Sequence, residues 1–338
     1  CFKLLSFSFL LAVAFLAGCK KDDDTVPTSD FPADVPISYF ELALKLTKET
    51  AGFTPPVAAR AYGYTGVALY EAVVGGMKDY QTLQGQLNEF DAGAVPAIEK
   101  GKEYQWEIVA NAALAHVMTK LYKNASADNL QAIADLEAEH FSHLSATVSQ
   151  EVADRSKAYG VSVGEAIYQY SVSDGQDEAY LTNFPADYTP PVGAGLWVPT
   201  PPGFSKALQP YWGSVRPFLV ADVADTQPVA HPEFSTDPTS AFYAEAFEVY
   251  TVTSSLTDEQ IKIAHFWSDD PGKTGTPPGH SISVASQVLA LENASLEEAA
   301  ETFAKVGLAV HDAFISCWKC KYDYNLMRPV TFILEHFD

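Results

Sequence analysis

Lys321 and Arg328 stand seven residues apart in KYDYNLMRPV, close to Asp338. That spacing is about two helical turns, so a continuous helix would project both cations from one face. The lysine offers a compact charge and the arginine a planar fork of donors, a pairing suited to the oxygens of phosphate or a similar oxyanion. Pro329 disfavours helical geometry at the residue before it, so the helix is expected to end at Arg328 and aim the guanidinium into a pocket.

Other residues with chemical potential form weaker patterns. Cys317 and Cys320 make a C-W-K-C whose spacing suits a redox pair or half a zinc site. No second C-x-x-C and no redox-type βαβ pattern accompany it, so the expectation is that both pack as small apolar side chains. His265, Asp269, Asp270, His280, His311 and Asp312 are the ligand types of a zinc hydrolase. Their spacings match no H-x-x-x-H or H-E-x-x-H pattern. Asp269-Asp270 before Pro-Gly reads as a turn, and Pro278-Gly279-His280-Ser281 as a structural turn ahead of a helix. His311-Asp312 falls inside an Ala-rich helical pattern, where a core or subunit-contact histidine is the usual case. A G-x-S-x-G elbow, a Walker loop and a dinucleotide fingerprint are all missing.

The elements that must position these groups read as helices almost throughout. Thr54-Pro55 has the form of an N-cap with proline at the first helical position, opening a run from Pro56 to about Val74. Trp106, Ala110, Ala113, Val117 and Leu121 recur at three and four, marking an amphipathic helix. Two more helices are expected across 127–172, broken near Ser142–Ser149. Thr257-x-x-Gln260 and Ser295-x-x-Glu298 are capping boxes, the second opening a helix to about Trp318. Residues 173–240 differ: prolines and aromatics without periodicity, a segment that is functional or wraps the core. Strand signals are scarce, so the fold class is all-α, a helical bundle in one domain.

The chain has 338 residues, 47% of them hydrophobic and 12% aromatic, enough for a core that needs no disulfide or metal. Lys and Arg total 21 against 43 Asp and Glu, a formal charge of −22. Such a field repels nucleic acid while leaving room for a local cationic pocket. At the N-terminus, Lys3 precedes an apolar run from Leu4 to Ala17, of signal-peptide length rather than transmembrane length. Leu16-Ala17-Gly18-Cys19 resembles a bacterial lipoprotein processing box. Residues 1–18 are therefore expected to be a signal peptide, Cys19 a lipidated first residue, and 19–36 an acidic tether. Acyl chains at about 0.8 kcal/mol per buried methylene give a stable membrane anchor, which places the protein in the cell envelope.

K-x6-R-P within KYDYNLMRPVT matches the first signature of the vanadium-dependent haloperoxidase and type 2 phosphatidic acid phosphatase superfamily. PPVAARAYGYTGVALYEAV, FWSDDPGKTGTPPGH and VGLAVHDAFISCWKCKYDYNLMRPVT together resemble its bacterial haloperoxidase-like branch, from about Ser38 to the end. The resemblance implies an all-α fold and a pocket in which Lys321 and Arg328 bind the equatorial oxygens of vanadate or phosphate. It also implies two later segments, P-S-G-H and S-R-x6-H, whose histidines carry the catalysis; neither follows Arg328. His280 in TPPGH belongs to a separate upstream element of the branch and is not assigned that role. The expectation is a domain from 37 to 338 that is incomplete at its C-terminus, holds no catalytic residue of its own and does not turn over. In intact form it would be a vanadate-dependent halide-oxidising oxidoreductase or a phosphomonoester hydrolase. The competing readings are a non-catalytic lipid-anchored binding protein with a degenerate oxyanion pocket, and a zinc-dependent hydrolase. The expected partners are a small oxyanion, a small-molecule substrate and the membrane; self-association stays open.

Overall fold

The structure, a computed structural model, describes residues 26–337. Ten α-helices and short 3-10 turns make up the regular structure, and among these residues the only β pairing is three isolated bridges. The helices are α1 (Asp34–Glu49), α2 (Pro55–Val73), α3 (Trp106–Leu121), α4 (Ala127–Ser145) and α5 (Gln150–Val172). After an irregular stretch come α6 (Ala241–Thr253), α7 (Asp258–Phe266), α8 (Thr276–Leu291), α9 (Leu296–Tyr324) and α10 (Pro329–His336). No helix among the described residues is long and apolar enough to cross a membrane.

Helix α2 is the axis of the molecule. Every residue from Pro56 to Val73 is buried, because α9, α3, α5 and α8 all pack against it. Its small residues make this possible. A Cβ on Gly66 would lie 2.6 Å from the Phe303 carbonyl oxygen, so α2 and α9 cross with backbones in contact. The same device joins α5 to α3, where a Cβ on Gly160 would lie 2.3 Å from the Val109 carbonyl oxygen. Burial on all sides leaves the α2 charges needing partners. Arg60 Nε donates to Asp174 at 2.7 Å and its Nη2 to the Ser171 carbonyl at 2.6 Å. The Glu71 carboxylate accepts from Thr82 Oγ1 at 2.7 Å and from the Leu83 N–H at 2.6 Å. Unpaired, either charge would be strongly destabilising in that setting.

Several expectations need correction. Thr54 is the N-cap residue of α2, but its hydroxyl makes no cap bond; it donates instead to Asn183 Oδ1 at 2.8 Å. Helix α3 has the expected bounds yet is not amphipathic in effect. All ten residues from Trp106 to Ala115 are buried, because it is enclosed by α1, α2, α4 and α5. Residues 28–36, expected as the end of an acidic tether, pack onto the helical core instead. Thr28 is buried and its hydroxyl reaches Glu297 at 2.8 Å, while the Ala33 N–H donates to the Ala294 carbonyl at 3.1 Å. Apolar Ala33 and Val35 pull this stretch onto the core. Cys19, the signal peptide and the start of the tether lie outside the described residues. Both capping boxes are present, and α4 and α5 break at 146–149 as expected.

Residues 173–240 wrap the C-terminal end of α9. Asp312, on α9, accepts from the backbone N–H groups of Phe218 at 2.7 Å, Leu219 at 2.8 Å and Val220 at 3.1 Å. The Leu208 carbonyl accepts from Trp318 Nε1 at 3.0 Å and Tyr322 Oη at 2.7 Å. A second, small core lies beyond: Phe242, Ala246, Met327 and Phe332, which join α6 to α10. Lys321 therefore ends the last long helix of the main core, and Arg328 opens the helix of the small one.

Candidate functional site

Between these two cores is a cleft of about 900 Å³ that both Lys321 and Arg328 line. They do not share a continuous helix. Helix α9 ends at Tyr324, and Asn325 takes the left-handed conformation with φ 47°, its N–H closing onto the Lys321 carbonyl. Asparagine tolerates this geometry and is a recognised alternative to glycine at a helix C-terminus. The chain then runs extended through Leu326, which bridges Leu196; Trp197 N–H donates to the Asn325 carbonyl at 2.7 Å and Met327 N–H to Gly195 at 2.9 Å. Arg328 is itself extended, at the N-cap of α10. The two cations meet because the irregular segment clamps this break, not because of helical periodicity.

Each cation is held from the side. The Lys321 ammonium sits 4.0 Å from the centre of the Trp318 ring, a cation–π contact. Arg328 Nη1 donates to Thr200 Oγ1 at 3.3 Å. Neighbouring Lys319 is tied up with Asp323 one turn along, whereas among the described residues neither Lys321 nor Arg328 is ion-paired. Burial against the cleft walls pushes the Lys321 pKa down; the Cys317 thiol opposes this and the charge of Arg328 adds to it. Lys206 and His231 also line the cleft, and Asp270 is its one acidic lining residue among those described. On a chain with a net charge of −22, that is a concentrated patch of positive potential. These donors, with neither Lys321 nor Arg328 ion-paired among the described residues and Asp270 the one carboxylate in the described lining, fit a tetrahedral oxyanion such as vanadate.

Sequence reading missed His231. Its Nδ1 lies 2.7 Å from the Pro232 carbonyl, which fixes the N–H there and leaves Nε2 free to accept. Its ring stands edge-on to Tyr324, with centroids 5.3 Å apart. A lone histidine in a non-periodic, proline-rich segment carries no sequence signal of its own. The apolar lining, including Phe184, Trp197 and Val229, comes from the same segment.

The other candidates fall elsewhere. His280 is inside the first turns of α8 rather than in a turn before it; its Nδ1 is 2.8 Å from Asp269, and its ring stacks on Trp267 at 4.7 Å. His311 is fully buried between α9 and Phe218, its Nδ1 has no partner, and burial pushes its pKa down. Among the described residues no three His, Cys, Asp or Glu side chains converge on a point that could hold a metal ion. His265, Asp269, Asp270, His280, His311 and Asp312 thus form no zinc centre. Cys317 and Cys320 do not pack as expected: Cys317 is exposed, and Cys320 is half-buried in the cleft wall.

The site is thus a basic cleft at the broken end of the longest helix of an all-helical fold. Residues 301–338 match the VCPO second helical-bundle domain. Across the fold, the chain is similar to the crystal structure of a bacterial vanadium-dependent iodoperoxidase, with 30% identity and a TM-score of 0.79; the match covers 91% of this chain and 73% of that one. No curated protein sequence matches. The chain belongs to the vanadium-dependent haloperoxidase family.

Proposed function

We propose that this cleft binds vanadate and serves the peroxide-dependent oxidation of a halide, with iodide the first candidate. The observation that carries this reading is the placement of Lys321 and Arg328, neither of them ion-paired among the described residues, in one basic cleft of a strongly acidic protein of this family. Lys321 supplies a point charge with three donors, held in place by Trp318. Arg328 supplies two parallel donors to adjacent oxygens and is steadied by Thr200. His231, its Nδ1–H donated to the Pro232 carbonyl, leaves Nε2 as an acceptor in the cleft wall. The apolar walls exclude water and sharpen the attraction between cations and anion. Bound vanadate supplies a Lewis-acidic centre at which hydrogen peroxide is activated toward halide. A halide fills little of 900 Å³, so the cleft also admits a small organic acceptor.

Iodide oxidation tests this directly. Protein purified from the expressed gene is given vanadate, hydrogen peroxide and iodide, and triiodide absorbance is followed. The expected result is oxidation that requires vanadate and is lost on Lys321→Ala. Release of phosphate from an aryl phosphate without vanadate, and no iodide oxidation with it, would assign the cleft to phosphoester hydrolysis instead. The reading also places the protein in the cell envelope, anchored through acyl chains on Cys19. Support for this is the Leu16-Ala17-Gly18-Cys19 processing box behind an apolar run. Labelled palmitate should enter the wild type and not Cys19→Ala; equal labelling of both would refute the anchor.

A further inference from the structure

The cysteine pair on α9 is unused by the oxyanion reading, yet it lies on the same helix as Lys321. Cys317 and Cys320 are both free thiols, three residues apart in the last two turns of α9. In helical geometry their Cα atoms are roughly 5 Å apart, within the ~4.4–6.8 Å span a disulfide bridges. The helix ends four residues after Cys320, at a left-handed Asn325, so its last turn can yield slightly as the bond forms.

The two thiols differ in access. Cys317 is exposed and stands one helical turn before Lys321. Cys320 is half-buried in the cleft wall, and burial pushes its pKa up. Peroxide reaches the solvent-open thiol first, and the half-buried neighbour one turn on is placed to resolve it. Trp318 between them is buried and bonded to the Leu208 carbonyl, which fixes the helix face on which both sulfurs sit.

We infer that Cys317 and Cys320 form a peroxide-responsive dithiol site in the last turns of α9, beside the cleft that Cys320 lines, with Cys317 the thiol oxidised first and Cys320 the resolving one. The oxidant is hydrogen peroxide. Cys317 thiolate attacks one peroxide oxygen, the O–O bond breaks, hydroxide leaves, and a sulfenic acid remains on Cys317. Cys320 sulfur then attacks the Cys317 sulfur, the S–O bond breaks, and water leaves with the Cys320 proton. Overall two thiols give up two electrons and two protons, and one peroxide becomes two waters. An external dithiol reverses the step by exchange. The dithiol chemistry stands on the helix geometry alone and does not depend on vanadate binding.

Peptide mapping of the full chain provides the test. Trypsin cuts after Lys319, between the two cysteines, so a disulfide holds the two fragments together. Reduced protein is exposed to one equivalent of hydrogen peroxide, quenched by alkylation, digested and weighed with and without dithiothreitol. The expected result is a linked pair of fragments that dithiothreitol separates, with no alkylation at Cys317 or Cys320. In Cys320→Ser the sulfenic acid on Cys317 has no resolving partner and is trapped by dimedone. In Cys317→Ser, Cys320 stays unmodified and alkylates fully. Full alkylation of both cysteines in the peroxide-treated wild type would overturn the inference. So would sulfinic acid on Cys317 without linked fragments.

Discussion

Replacing Asp312 with alanine removes one carboxylate that holds three backbone N–H groups. Those of Phe218, Leu219 and Val220 converge on it at 2.7, 2.8 and 3.1 Å, fixing the irregular segment to α9. A hydrogen bond to a charged acceptor contributes about 1.5–3 kcal/mol, and a buried donor left unpaired costs a similar amount. Phe218 is buried and loses its partner outright, whereas Leu219 is exposed and its N–H can turn to water. Discounting on that basis, the loss is about 3–5 kcal/mol, a large part of the ~5–15 kcal/mol that stabilises a typical domain. Asp312→Asn keeps one acceptor oxygen but faces its amide at donors, so about half the loss is expected. Urea unfolding followed by tryptophan fluorescence reads both values. A loss below about 1 kcal/mol for Asp312→Ala would refute the view that this carboxylate anchors the wrapping segment.

Three further outcomes follow from the same geometry. Gly66→Ala drives a methyl into the Phe303 carbonyl 2.6 Å away, so α2 and α9 must separate at a cost of about 1–3 kcal/mol, read as a lowered urea midpoint. Arg60→Met strands Asp174 in the core and should cost about 3–5 kcal/mol, again by urea unfolding; a variant as stable as the wild type would show that the pair carries no net burden. Oxyanion affinity is full below the lowered Lys321 pKa, where the ammonium is charged, and falls as pH rises through it. Arg328→Ala removes a charge that pushes that pKa down, so its affinity should persist to higher pH. The wild-type advantage over Arg328→Ala therefore narrows as pH rises, the titration of the oxyanion itself cancelling in the ratio; a constant ratio would contradict the coupling.

Helix positions were largely legible, because they rest on local chemistry. Both capping boxes, the Trp106–Leu121 periodicity and the break before Gln150 are written within a few residues of where they act. What each helix would touch was not legible. Helix α3 carries an amphipathic stripe, yet four neighbours enclose it, and burial on that scale depends on the whole topology. Residue type and spacing singled out the two cations that line the cleft, but the helical reason for their meeting was mistaken. Asn325 stops the helix between them, a weaker sequence signal than glycine, and the extended turn that follows is set by Gly195, Leu196 and Trp197, far away in sequence. His231 and Thr200 entered the site by that same long-range route. The cysteines were misread because the helix pattern did not reveal which flank of α9 the irregular segment leaves uncovered.

The proposed function requires Lys321 and Arg328 to hold an oxyanion together in the cleft. Isothermal titration of vanadate into wild type, Lys321→Ala and Arg328→Ala at one neutral pH and ionic strength tests it most directly. The account predicts one site per chain and, since each charge-assisted contact contributes about 1.5–3 kcal/mol, an affinity loss of about 10- to 150-fold in each variant. Unchanged affinity in both variants would contradict it.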